Sequence, residues 1–375
     1  MLELSHQMMP QPRIVPLALL LSLGSLAGCA IVGPEGPAWT GPAYFPDAHS
    51  VPRIVVHGDM LSRLPRTETV SALEVFLYGP PEVAQSALRN PQGMALQGDQ
   101  LLICDQGQLD VLAIDLSTGQ SRYFCDPNHP PRCPVDVAVD ARGNVYVADT
   151  TRRSVLIYSS EGQYRGQVVT TADPDRSFRP AAVTVHDQVL FIGNIGEHRI
   201  DRWSLSENRW LSPWAPPAGA KPLYAPSGLC VGPRGVLYVA DSVQGVIFRV
   251  DPQGQWLSPV GSPGRMAGQL VRPKHVACTA SGLVLVTDAG RQSLLVFDAD
   301  GRFLVEVHEG PADWPGWVLP AGVMVLPGGG QTFADGFDGH GERVVVSDAL
   351  GRVSLSLLTA VTRADMISSS AEGSK

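Results

Sequence analysis

Between Pro91 and Leu358 the chain is written in short apolar runs of four to six residues, each cut off by Gly, Asp, Asn or Pro. Runs this short, rich in Val, Ile, Leu and Tyr and bounded by turn residues, predict β-strands rather than helices. The runs fall into a longer pattern: Pro, two residues, an apolar run, a Gly turn, a β-branched run ending in Asp, then a third apolar run. The second copy shows it in Pro134-Val135-Asp136-Val137-Ala138-Val139, Gly143-Asn144, Val145-Tyr146-Val147-Ala148-Asp149 and Val155-Leu156-Ile157-Tyr158. Other copies begin at Pro91, Pro180, Pro226, Pro273 and Pro320, so successive starts are 43, 46, 46, 47 and 47 residues apart. A period of 40 to 50 residues with three or four strands is the pattern of a propeller blade. One blade alone leaves two apolar faces in water, whereas six in a ring cover each other. The predicted fold class is therefore all-β, a six-bladed β-propeller closed by an N-terminal strand. The sixth unit ends at Val353-Ser354-Leu355-Ser356-Leu357-Leu358 without a last strand, and the run Val70 to Tyr78 precedes the first unit. That run is the expected closing strand.

Upstream of the repeats the pattern changes. Arg13 precedes an apolar run, Ile14 to Leu26, too short to span a bilayer but of the length of a signal-peptide core. It ends in Leu26-Ala27-Gly28-Cys29, which looks like a lipobox. Residues 1–28 are thus expected to be a lipoprotein signal peptide, with Cys29 as the acylated residue carrying diacylglycerol and palmitate-type chains. In a cell with two membranes, Ala30 after the cysteine resembles an outer-membrane sorting signal. Residues 29–52 read as the lipidated cysteine and a Pro/Gly-rich tether, 53–362 as the propeller, and 363–375 as a disordered tail. The expected location is the cell envelope, with the membrane as a partner through the lipid. A formal net charge of −8 excludes general nucleic-acid binding, which needs a basic surface.

The repeats resemble the NHL-repeat family. The closest stretch runs through Gly261-Ser262-Pro263-Gly264, Gly268-Gln269-Leu270 and Pro273 to Val284-Leu285-Val286-Thr287-Asp288. The resemblance covers about residues 70 to 358 and implies the fold more than the activity. NHL-type propellers include binding scaffolds, and their structural relatives include lyases and lactonases. Relatives that cleave hydroxyglycine adducts hold zinc by histidines beside the proline of each inner strand. Here those places hold Gly93, Asp136, Ala182, Gly228, His275 and Gly322, and one histidine does not make a zinc site. Lactonase-like relatives hold calcium with acidic and amide side chains; Asn90 and Asp136 stand near suitable places without evident further ligands. No catalytic residue and no cofactor is assigned. The primary expectation is a protein- or ligand-binding scaffold in an envelope complex, and the alternative is a metal-dependent hydrolase or lyase acting at the central channel.

Three further readings concern particular residues. Asp105, Asp149, Asp241, Asp288 and Asp348, with Asn194, each end a strand before a turn, where Asp accepts backbone N–H bonds, so they are expected to serve the blade. Arg179, Arg272, Lys274 and His275, with Asp136 and Asn90, flank the inner-strand prolines and should surround one mouth of the channel. Three cations there suit a small anionic ligand or the carboxylates of a protein partner. Cys125 and Cys133 are spaced for a disulfide in an oxidising compartment, while Cys104, Cys230 and Cys278 lie inside strand runs and read as core residues.

Overall fold

The computed structural model describes residues 43–45, 53–59, 88–169, 177–308, 316–326, 342–349 and 351–359. They form six antiparallel sheets, one for each predicted unit, and each of the six prolines opens the innermost strand of its blade. Blade one has inner strand Pro91–Gln97, followed outward by Gln100–Asp105, Asp110–Asp115 and Ser121–Tyr123. Blades two to five repeat this plan from Pro134, Pro180, Pro226 and Pro273. A short parallel ribbon, Ser262–Pro263 against Gln269–Leu270, precedes blade five.

The second strands are buried on both faces, which is why they carry unbroken apolar runs rather than an alternating pattern. Val145–Asp149, Leu237–Asp241 and Val284–Asp288 are buried at every position. Side chains pointing one way pack on the preceding blade, and those pointing the other way on the next. Six apolar clusters result, one in each gap. Leu102 and Cys104 of blade one meet Val137, Val145 and Val147 of blade two. Val345 and Val353 of blade six meet Leu101 and Ile103 of blade one, so the ring is closed by the same packing that joins its neighbours. Each such side chain contributes roughly 1.5–3 kcal/mol of burial. Hydroxyls stitch the gaps further: Ser347 Oγ of blade six donates to the Gln92 carbonyl of blade one at 2.7 Å, and Thr287 Oγ1 of blade five to the Ala321 carbonyl of blade six at 2.7 Å.

The closing strand is N-terminal, but it is not the predicted one. Arg53–Asp59 pairs antiparallel with Arg352–Thr359, from Arg53 opposite Thr359 to Asp59 opposite Ser354. Ala43–Phe45 adds a fifth strand outside it. Blade six therefore takes its outer strands from the segment directly before the first repeat's leader, including part of what reads as tether. The expected closing run, residues 70–78, lies outside the described residues, as does the acylation site at Cys29.

Candidate functional site

The inner strands all start at one face of the ring, so their prolines mark it; for brevity it is the proline face. The linkers entering each inner strand and the hairpins between second and third strands lie there. The first-to-second and third-to-fourth turns lie on the opposite face.

The repeated Asp holds the proline face together. Asp105 accepts the backbone N–H groups of Arg89 (2.8 Å), Asn90 (2.9 Å) and Gly107 (2.8 Å). Asp288 does the same for Val271, Arg272 and Gly290 at 2.7–2.9 Å. These carboxylates are fully buried and tie each blade's entry linker to its own hairpin. Asn194 replaces Asp in blade three for a local reason: its Oδ1 accepts from Arg179 N at 3.0 Å, while its Nδ2 donates to the buried Asp201 carboxylate at 2.7 Å. Two carboxylates at that distance would repel.

The third residue of each inner strand lies at the inner rim of the ring, where the glycines stand hard against the next blade's inner strand. Four of the six are Gly or Ala, and there is no room for more. A Cβ on Gly93 would lie 2.0 Å from Asp136 Oδ1, and one on Gly228 would lie 2.6 Å from the His275 Cα. The other two, Asp136 of blade two and His275 of blade five, come from opposite sides of the ring and meet, with Nε2 3.4 Å from Oδ1. Asp136 is locked by N–H donors from Val137 (3.0 Å) and from Val183 of the next blade (2.8 Å). His275 is 8% exposed, and its Nδ1 has no hydrogen-bond partner among the described residues. The pair bars the channel. Beyond it, toward the opposite face, lies a cavity of ≈ 270 Å³ lined by the later residues of all six inner strands, among them Thr184, Met324, Cys230 and Cys278.

Of the predicted mouth residues, then, Asp136 and His275 are brought together. Asn90 is held in an amide cluster, donating to Gln106 Oε1 at 3.2 Å and accepting from Gln92 Nε2 at 2.6 Å. Arg179 and Arg272 are exposed on the proline face. Lys274 is half-buried; burial first, and then the Arg272 charge, push its ammonium below the usual lysine range. Among the described residues no three His, Cys, Asp or Glu side chains converge to hold a metal ion.

The cysteine expectation is corrected. Cys125 and Cys133 are free, and the disulfide joins Cys230 to Cys278, with Cα atoms 6.5 Å apart. It links the inner strands of blades four and five across their gap. Cys125 is instead buried near Asp110, which accepts its backbone N–H at 3.1 Å. Burial raises the Cys125 and Cys104 thiols well above the usual range.

The sequence reading picked out too few cations. Besides Arg179 and Arg272, the entry linkers expose Arg89, Arg132, Lys221 and Arg265, and a hairpin exposes Arg153. No described carboxylate on the proline face is exposed; Asp126 and Glu197 are partly buried. The opposite face is mixed in charge, exposing Asp99, Glu161, Asp187, Glu207 and Asp300 alongside Arg142, Arg209, Arg234 and Arg302. The signal was the recurrence of Arg one or two residues before Pro91, Pro134, Pro180 and Pro273.

The NHL repeat model matches residues 132–158, the inner three strands of blade two. The protein is a six-bladed β-propeller carrying an NHL repeat. No curated protein matches its sequence. Among solved structures this NHL-repeat propeller is similar to virginiamycin B lyase from Staphylococcus aureus, with a TM-score of 0.52 and 14% identity over 85% of this chain and 95% of that one. It is also similar to a protein of unknown function from Bacteroides thetaiotaomicron, with a TM-score of 0.54 and 15% identity over 72% of this chain and 70% of that one. A third likeness is to Kuenenia stuttgartiensis hydrazine synthase, at 0.50 and 13% over 73% of this chain and 97% of that one. At such identities the likeness is one of fold.

Proposed function

We propose that this NHL-repeat propeller is the extracytoplasmic part of a lipid-anchored envelope protein and works as a binding scaffold. The observation that carries the scaffold reading is the Asp136–His275 pair. It bars the channel where relatives of this fold would place metal ligands, and the surrounding positions are too crowded for others. Binding is thereby left to the faces, and the excess of exposed cations on the described part of the proline face, against mixed charge on the other, suits an oriented assembly. The anchor rests on Leu26-Ala27-Gly28-Cys29. The metal-dependent hydrolase reading needs three or more ligands at one mouth, which the described residues do not bring together.

The test is made in cells. Labelled palmitate should enter the chain, and Cys29→Ser should abolish the label and release the protein from the membrane fraction. Crosslinking of the wild-type chain should then recover a defined envelope protein. A chain that stays unlabelled overturns the anchor, and activity that tracks a stoichiometric bound metal overturns the scaffold.

A further inference from the structure

Among the described residues the proline face is basic, within a chain of formal net charge −8, and its cations coincide with exposed apolar side chains. Leu109 and Val243 protrude from hairpins, and Tyr224, Met266 and Leu319 from entry linkers. Met266 is 74% exposed and follows Arg265; Tyr224 and Leu319 directly precede the residue or strand entered by an inner-strand proline. Cations interleaved with protruding Met, Leu, Val and Tyr match a lipid headgroup layer, where the charge meets phosphate and the apolar tips reach the acyl boundary.

Chain direction points the same way. Arg352–Thr359 leaves the proline face, so its antiparallel partner Arg53–Asp59 returns to it, and Ala43–Phe45 runs away from it again, with Ala43 opposite Val56 and Phe45 opposite Ile54. The backbone thus enters blade six from the proline-face side. Cys29 lies 14 positions before Ala43. That length of chain spans at most about 50 Å fully extended.

We infer that the proline face lies against an anionic phospholipid surface, as a second attachment beside the lipid on Cys29. The inference rests on the envelope location proposed above, but not on acylation itself. A multiply acylated Cys29 would hold the chain at the membrane by itself, and the basic face would set how the ring lies on that surface.

The experiment uses the chain from Ala30 onward, which lacks the acylation site and keeps every described residue. Binding is measured by flotation with vesicles of phosphatidylcholine alone and of phosphatidylcholine with phosphatidylglycerol. The expected result is binding to the phosphatidylglycerol vesicles only, lost at high salt as the charges are screened. Replacing Arg179, Arg265 and Arg272 together by Ala should lower the partition coefficient by about a hundredfold, at about fivefold for each cation. Replacing Arg142, Arg234 and Arg302 on the opposite face makes the same change in net charge and should leave binding as it was. Met266→Ser should weaken binding without altering its salt dependence. Equal binding to neutral vesicles, an equal loss in the opposite-face variant, or proline-face cations needed only to retain an acidic protein overturns the inference. Because Cys29 is absent, these outcomes stand apart from any failure of the anchor.

Discussion

A single residue, Asn194, shows how tightly the repeat is constrained. The repeat calls for Asp at the end of each second strand, and five blades have it. Blade three departs because Asp201 is buried against the same position. Asn194→Asp should lower stability by about 1–2 kcal/mol at neutral pH, since it loses the Nδ2 donor and sets a second buried carboxylate beside Asp201, whose other oxygen Arg199 pairs at 2.6 Å. The repulsion raises the proton affinity of the pair in the folded state above its unfolded value. The penalty therefore appears as pH rises above about 4 and fades below it. Urea midpoints at pH 3.5 and pH 7 measure this, and equal losses at both would refute it. The disulfide is the second residue-scale prediction. Peptide mapping without reduction should link Cys230 to Cys278 and leave Cys125 and Cys133 alkylatable after unfolding. Replacing Cys230 and Cys278 by Ala should cost about 4 kcal/mol in chain-entropy terms for a loop of 48 residues.

At the scale of strands, the closing segment decides whether the ring holds. Val55 has a partner on each side, Tyr44 and Leu357. Val55→Pro removes a ladder bond whichever neighbour takes it, and should lower the melting temperature of the whole ring in one transition. A separate early transition of blade six alone would contradict the closure described here. Blade starts and blade number were legible because Pro, Gly and Asp recur with the period, and each is required by a turn or a cap. The closing strand was not, because Ile54-Val55-Val56 is a short run after Pro52 in a Pro/Gly-rich segment, whereas Val70 to Tyr78 is longer and more apolar. Pairing in this strand is set by an open sheet edge some 300 positions later, which local pattern does not encode. The cysteines misled for a similar reason. Cys125 and Cys133 are close in sequence, but Cys230 and Cys278 are separated by nearly one repeat, and in a ring one repeat is one neighbour. At the mouth, the positions of Asp136 and His275 were legible from their offset after the proline. Their meeting was not, because it depends on Gly and Ala at the other four places.

At the scale of the whole molecule, channel and faces differ in character. The Asp136–His275 pair bars the channel above its cavity, while the described part of the proline face is basic and the opposite face mixed in charge. The seam of blade six also has a topological consequence. The first residue of the closing strand, Arg53, sits directly opposite Thr359, the last described residue of the chain. Antiparallel neighbours in that register can be joined by a two-residue hairpin. A chain that joins Thr359 to Arg53 in this way, and begins instead at Ser177, should fold into the same ring with a single cooperative melt. Where such a sequence starts is then a choice of gene order, and the ring itself has no first blade.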